Sequence, residues 1–183
     1  MHEVEVKFLE VDVATLTKKL IQLGAKKVFD GEIIAHYFDY PDSRLRAEGK
    51  LLRLRKKGDI VELTLKKSIN PKSLAKESHE LEVNCTDFET MKTILLESGF
   101  TYRKPLPGEE ILNTTDKHRA SYSLEGAHFE FDTFPNIPTF LEIETQSVEA
   151  IQAWVHKLGL NMQDAKPWTG RDVLKHYLKT PRP

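Results

Sequence analysis

Charged and apolar residues alternate strictly in several short stretches of the chain. In residues 2–8, Glu3, Glu5 and Lys7 occupy alternate positions, with valine or phenylalanine after each of them. Successive side chains of a β-strand point to opposite faces, so each such stretch is predicted to be a strand with one charged and one apolar face. The pattern predicts about eight strands, at residues 2–8, 36–40, 50–57, 60–67, 78–84, 119–124, 128–133 and 140–145.

Four other stretches have apolar residues at helical spacing, and three of them end at a glycine. A capping Asp or Ser precedes three of them, as expected at helix N-termini. The predicted helices cover residues 12–23, 87–98, 147–158 and 172–178. Gly58-Asp59 and Glu125-Gly126 each separate two strand patterns and predict hairpin turns. No regular structure is predicted for residues 69–76 and 104–113.

The amphipathic helices need an apolar surface, which the apolar faces of the strands supply. An antiparallel sheet with one solvated face would also give this alternation. Eight strands, however, tend to close and so hide their edges. We therefore predict an α+β fold for a single domain spanning residues 1–183. It is a closed eight-stranded antiparallel β-barrel, or tunnel, with a charged lumen and helices packed on the outside.

The composition narrows the classes of function. The chain has 183 residues, of which 27 are basic and 28 acidic, for a net charge of −1. This balance argues against a polybasic nucleic-acid binder. A single cysteine excludes a disulfide framework, and no apolar signal segment or membrane span is visible. We expect a soluble cytoplasmic protein that binds neither nucleic acid nor membrane.

The charged faces of the predicted strands carry both carboxylates and cations. Enclosing so many charges is costly unless a charged ligand offsets them. Carboxylate oxygens prefer hard cations such as Mg²⁺ or Mn²⁺, whereas Arg and Lys bind phosphate oxygens. Carboxylates and basic side chains on the same faces together indicate a binding site for a metal-bound polyphosphate. The residues on these faces after the first strand are Arg53, Arg55, Glu62, Thr64, Lys66, Glu80, Glu82, His128, Glu130, Asp132, Glu142 and Glu144.

At this point the chain resembles the CYTH superfamily, the triphosphate tunnel metalloenzymes. Glu3-Val-Glu5-Val-Lys7 is similar to the family's ExExK signature. Five further motifs follow in the family's order: Arg53-Leu-Arg55, Thr64-Leu-Lys66, Glu80-Leu-Glu82, Lys117-His-Arg119-Ala-Ser-Tyr122, and Asp132 with Phe140-Leu-Glu142-Ile-Glu144. The likeness spans nearly the whole chain and implies an eight-stranded antiparallel tunnel.

The resemblance also implies residue roles. Metal ligands for Mg²⁺ or Mn²⁺ would be Glu3, Glu5, Glu82, Asp132, Glu142 and Glu144. Triphosphate would be bound by Lys7, Arg53, Arg55, Lys66, Lys117 and Arg119, of which Lys7, Lys66 and Arg119 would be catalytic. Many members have a lysine before Ser-Tyr near the C-terminus, where this chain has other residues. Lys166 or Arg171 would substitute for it, or neither would.

Three functions fit this resemblance. A triphosphatase would hydrolyse tripolyphosphate, thiamine triphosphate or a similar small molecule. A class IV adenylyl cyclase would convert ATP to cyclic AMP and pyrophosphate. A non-catalytic module would only bind polyphosphate or nucleotide. Hydrolysis is favoured because both metal-binding and phosphate-binding residues are present and no adenine-reading motif is visible. The resemblance does not exclude a homodimer.

Overall fold

A computed structural model describes residues 2–69, 75–105 and 116–179 of the protein. The described chain contains nine strands: β1 (His2–Phe8), β2 (Lys26–Asp39), β3 (Lys50–Lys57), β4 (Ile60–Ser68), β5 (Lys76–Cys85), β6 (Thr101–Tyr102), β7 (Lys117–Leu124), β8 (Ala127–Thr133) and β9 (Phe140–Thr145). Its helices are α1 (Val13–Gln22), α2 (Arg44–Ala47), α3 (Phe88–Glu97), α4 (Val148–Leu158), a 3₁₀ helix (Met162–Asp164) and α5 (Gly170–Lys179).

The strands are joined by antiparallel hydrogen bonding. The order of neighbours is β3-β4-β5-β1-β9-β8-β7-β2-β6, and β3 also pairs with β2. Eight strands therefore form a ring of neighbours, and β6 attaches to β2 as a ninth. The predicted α+β class with eight antiparallel strands is confirmed, whereas the closed tunnel with a charged lumen stays a prediction.

The chain forms two compact units. The first unit comprises residues 32–69 and 78–117, and the second comprises residues 2–31, 70–77 and 118–183. In the first unit, β3 pairs with β2 on one side and with β4 on the other, and β4 pairs with β5. Leu54 of β3 is fully buried there, in a core that includes Phe38, Phe88 and Leu95. The apolar face of this sheet thus packs against α3.

The second unit is built around β1 and β9. β1 pairs with β9, β9 with β8, and β8 with β7, all antiparallel. The predicted apolar positions of β1 are buried together with apolar residues of β8, β9, α1 and α4; the largest of these include Val4, Val6, Leu20, Phe129, Ile143, Ile151 and Trp154. Burying this surface positions the charged face of each strand on the opposite side of the sheet.

Local sequence explains why the helices and turns lie where predicted. Asp12, Asp87 and Ser147 each accept a hydrogen bond from the backbone N–H three residues later, which caps α1, α3 and α4. The turn between β7 and β8 has Glu125 at φ 50° and Gly126 at φ 77°. Two consecutive positive φ values are typical of a two-residue hairpin turn, which explains the glycine.

Several sequence-based bounds differ from the structure. β2 begins at Lys26 rather than at residue 36, and β5 begins at Lys76, inside a stretch predicted to be irregular. Residues 70–74 and 106–113 of the two predicted loops lie outside the described residues. On β5, the predicted apolar face is not covered, because Leu81 is 60% and Val83 58% exposed. None of the described helices has the length and apolar character needed to cross a membrane.

Candidate functional site

Arg119 holds two carboxylates of β8 in the second unit. It lies directly opposite Asp132 in the β7–β8 pairing. Its Nε and Nη2 atoms donate to the two carboxylate oxygens of Asp132 at 2.6 Å each, and its Nη1 atom forms an ion pair with Glu130. Burial alone would lower the pKa of Arg119, but the attraction of Asp132 and then Glu142 raises it above its usual value. Arg119 is therefore a permanent cation inside a group of acids.

Lys7 is the second buried cation of this unit. It lies opposite Glu142 in the β1–β9 pairing, and its Nζ is 2.6 Å from Glu142 Oε2 and 2.9 Å from Glu5 Oε1. Its side chain is only 2% exposed. Burial would lower the pKa of Lys7, but Glu142 and Glu5 raise it above the usual value. Lys76, on β5, reaches the same oxygen of Glu5 at 2.9 Å.

Three carboxylates beside these cations form a group that we call the acidic cluster: Glu130, Glu142 and Glu144. One oxygen from each lies within 4.8 Å of the others. The cluster follows from register, since Glu130 lies opposite Glu142 and Glu144 is two residues further along β9. In octahedral Mg²⁺ coordination neighbouring oxygens lie about 2.9 Å apart and opposite oxygens about 4.2 Å apart, so the three carboxylates would move closer together on binding one ion. The donor set therefore fits a hard divalent cation.

The carboxylates and cations named so far in this unit do not balance in charge. Glu5, Asp132 and the cluster supply five carboxylates, whereas Lys7, Lys76 and Arg119 supply three cations. These eight groups leave a formal charge of −2, which one divalent cation would neutralise.

The structure separates the residues predicted as metal ligands. Glu142 and Glu144 belong to the acidic cluster. Glu5 is instead bound by Lys7 and Lys76, and Asp132 by the Nε and Nη2 atoms of Arg119. Glu3 is half-buried on β1. Glu82 belongs to the first unit, where Thr64 Oγ1 donates to it at 3.0 Å.

The first unit has its own charged face, which alternates with the buried apolar positions as predicted. Arg55 Nε donates to Glu62 Oε2 of the neighbouring strand at 2.7 Å. Lys66 forms an ion pair with Glu80, and Arg53 Nη2 donates to Thr64 Oγ1 at 3.4 Å. Each of these contacts joins residues that lie opposite each other in the strand pairing. Lys117 begins β7 and is half-buried.

The sequence left open whether Lys166 or Arg171 substitutes for the family's C-terminal lysine, and the two residues lie in different elements. Lys166 and Lys7 form an isolated antiparallel bridge. The backbone nitrogen of Lys7 is 2.9 Å from the carbonyl oxygen of Lys166, and that of Lys166 is 2.8 Å from the carbonyl oxygen of Lys7. Because directly opposed residues share a face, the side chain of Lys166 starts on the same face as that of Lys7. Arg171 lies in the first turn of α5.

Two site residues were not predicted from the sequence. Glu130 was recognised as part of a charged face, but only its register with Glu142 shows that it belongs with the metal-ligand candidates. Lys76 lies just before the predicted start of its strand. Its contact with Glu5 joins residues 71 positions apart. The pattern of neighbouring residues in the sequence does not predict such a contact.

Several solved structures are similar to this chain, in sequence or in fold. No protein of curated function matches the chain. A protein of Pyrococcus horikoshii OT3 has 26% sequence identity and a TM-score of 0.73, with 93% of this chain and 98% of that chain covered. A Vibrio parahaemolyticus protein has 17% identity and a TM-score of 0.77, with 95% and 98% covered. A Hippeastrum protein has 17% identity and a TM-score of 0.61, with 96% of both chains covered.

The last two likenesses show a shared fold. The sequence itself matches the CYTH domain over residues 1–160, which is most of the chain. The resemblance inferred from the motifs is thereby confirmed. The chain belongs to the CYTH domain family.

Proposed function

We propose that this protein is a divalent-metal-dependent triphosphatase that hydrolyses tripolyphosphate or a small molecule carrying a triphosphate. The CYTH family binds triphosphate substrates and depends on metal ions. The observation that supports a metal site in this chain is the acidic cluster, whose oxygens lie within 4.8 Å of one another beside buried cations.

The proposed reaction depends on charge and position more than on covalent chemistry. Mg²⁺ or Mn²⁺, held by Glu130, Glu142 and Glu144, would neutralise phosphate charge and activate water. Asp132 and Arg119 form a rigid bidentate pair that fixes the position of Glu130. These contacts hold Glu130, one member of the acidic cluster, before substrate binds.

The cations of the first unit would bind phosphate oxygens. Arg53, Arg55 and Lys66 each contact a polar partner on the adjacent strand, which fixes the direction of long side chains before a ligand arrives. Guanidinium groups present several N–H donors and match phosphate geometry well. They would stabilise the negative charge that develops on the leaving phosphate. Lys117 is proposed as an additional phosphate ligand.

Product analysis tests this proposal. The purified protein is incubated with tripolyphosphate, thiamine triphosphate or ATP in the presence of Mg²⁺ or Mn²⁺, and the products are separated by chromatography. We expect a kcat/KM for tripolyphosphate at least about tenfold above that for ATP, equivalent to about 1.4 kcal/mol of transition-state preference. The reason is that the charged groups of the site recognise the triphosphate, whereas no adenine-reading motif was found in the sequence.

The rival outcome is cyclisation. The Vibrio parahaemolyticus protein is described provisionally as an adenylate cyclase, and the Hippeastrum protein as a provisional adenylyl cyclase with a dominant triphosphatase activity. Cyclic AMP and pyrophosphate as the main products from ATP, with tripolyphosphate left intact, would replace the hydrolase by a class IV adenylyl cyclase. Binding of triphosphates without any turnover would favour a non-catalytic module.

A further inference from the structure

We propose that Lys7 is an exchangeable counter-cation of the acidic cluster. In the absence of a triphosphate it pairs with Glu142, and a bound triphosphate draws its ammonium away. Triphosphate binding would thereby strengthen the binding of the divalent metal ion. The inference rests on the proposed function, because a triphosphate is the anion that would attract Lys7.

Lys7 directly contacts one of the carboxylates that fit a metal ion. Its Nζ is 2.6 Å from Glu142 Oε2, while Glu142 Oε1 is 3.7 Å from Arg119 Nη2. Both oxygens of Glu142 therefore face a cation. A metal ion bound to Glu142 would be repelled by a neighbouring ammonium, and the repulsion is strong where water is excluded. Lys7 and the metal ion thus compete for the same carboxylate.

The surrounding contacts allow Lys7 to leave without leaving a carboxylate unpaired. Glu5 would keep Lys76, whose Nζ is 2.9 Å from Glu5 Oε1. Glu130 and Asp132 would keep Arg119, and Glu142 would exchange Lys7 for the metal ion. Among the described residues named here, the only charge that loses its partners is then the ammonium itself. A buried ammonium needs an anion, and a phosphate oxygen supplies one.

The two cations differ in their freedom to move. Arg119 is held by both oxygens of Asp132 at 2.6 Å and also by Glu130, which fixes its plane. Lys7 is a point charge on a flexible chain with rotatable donors. It contacts one oxygen each of Glu5 and Glu142. Exchange is therefore expected at Lys7, with Arg119 as a fixed part of the site.

The first test measures metal binding without any phosphate. Isothermal titration of Mn²⁺ into the full-length protein compares the wild type with Lys7→Met and Lys76→Met. We expect Lys7→Met to bind Mn²⁺ at least about tenfold more tightly, because the competing charge is gone. Lys76→Met is the matched control. It also removes an ammonium from Glu5, but its Nζ has no ion pair with the acidic cluster within the described part of the chain. Its Mn²⁺ affinity should change less than threefold.

The second test measures tripolyphosphate binding in buffer containing EDTA. Lys7→Met should bind tripolyphosphate at least about tenfold more weakly than the wild type, although it binds Mn²⁺ more tightly. Opposite changes in the two affinities are the signature of exchange. A purely structural ion pair would give weaker binding of both ligands, and a simple competitor would leave tripolyphosphate binding unchanged. Either result would overturn the proposal.

A measurement on the wild type covers the case in which Lys7→Met does not fold. The ¹⁵N resonance of the Lys7 ammonium, assigned with a Lys7→Arg variant, is followed by NMR while tripolyphosphate is added in EDTA. We expect it to shift, while that of Lys157 on α4 does not. An unchanged Lys7 resonance at saturating tripolyphosphate contradicts exchange. If the wild type binds no triphosphate, with or without metal, the proposed function is refuted instead. The Mn²⁺ titration of Lys7→Met contains no phosphate, so its result does not depend on triphosphate binding.

Discussion

At the scale of single residues, the acidic cluster contains two kinds of carboxylate. Glu142 is 8% exposed and lies between Lys7 and Arg119, so it balances two buried cations as well as belonging to the cluster. Glu144 is half-buried near the end of β9, and its charge contributes to raising the pKa of Arg119. Removing the charge of Glu142 leaves Lys7 with one carboxylate fewer, whereas removing that of Glu144 mainly affects the cluster.

We therefore predict that Glu144→Gln and Glu142→Gln both weaken Mn²⁺ binding and abolish turnover but differ in stability. Breaking a buried pair by removing one partner costs about 3–5 kcal/mol, so Glu142→Gln should lower the free energy of unfolding by an amount of that order. Glu144→Gln should lower it by less than Glu142→Gln does, because Glu144 is more exposed to solvent. Urea unfolding without metal and Mn²⁺ titration measure the two effects. Equal losses of stability would show that Glu142 is not the counter-charge of Lys7.

At the scale of elements, His36 of β2 is packed between α3 and β6. Its ring makes edge contacts with Phe88 at 5.1 Å and Tyr102 at 5.6 Å between centroids. Burial and then the charge of Lys92 lower the pKa of His36, and Asp116 and Glu89 oppose the shift. The folded protein therefore holds the ring neutral at a pH where the unfolded chain already binds a proton.

This shift predicts a pH-dependent loss of stability. Below the unfolded-state pKa of about 6.5, the unfolded chain binds more protons at this position, so the stability of the wild type falls as the pH drops towards the lower folded-state pKa. His36→Phe removes this contribution. As the pH is lowered from 7.5 to 5, the free energy of unfolding of His36→Phe minus that of the wild type should increase. Between pH 7.5 and pH 9 this difference should stay constant. Urea titrations across this range measure it, and a constant difference throughout would rule out a shifted His36.

The same elements show what the sequence can predict. The observed bounds of α1, α3 and α4 lie within one residue of those predicted, because capping side chains and terminal glycines act locally. The first half of β2 was missed because residues 26–32 are mostly exposed and do not show alternating apolar and charged residues. α2 has four residues and β6 has two, and such short elements depend on contacts from distant parts of the chain.

The sequence likewise predicted part of the candidate site. Alternation assigned residues to charged faces, and the pairing of Arg55 with Glu62 and of Lys7 with Glu142 agrees with that assignment. Alternation does not specify which strands are neighbours. The grouping of Glu130 with Glu142 and Glu144, and the contact of Lys76 with Glu5, depend on pairings between strands that are distant in sequence.

At the scale of the whole molecule, the proposed function assigns phosphate binding to the strand cations of the first unit. We predict that Arg53→Ala, Arg55→Ala and Lys66→Ala each weaken tripolyphosphate binding by about 1.5–3 kcal/mol, the usual value of a hydrogen bond to a charged group. Lys18→Ala removes an exposed charge from α1 and serves as the control. Calorimetry gives the affinities. If the control loses as much affinity as the strand variants, non-specific attraction explains the binding.

The pairing of β1 with β9 also has a consequence for synthesis on the ribosome. Val4 pairs with Thr145, and Phe8 with Leu141, so β1 is made long before its partner. At roughly 5–20 residues per second, the interval is on the order of ten seconds. During that time Val4 and Val6 lack the β9 side of their core, and Lys7 lacks Glu142. Contacts this distant also slow folding. The nascent chain therefore cannot complete the charged site until β9 has left the ribosome, and a chaperone that shields β1 would assist it before that point.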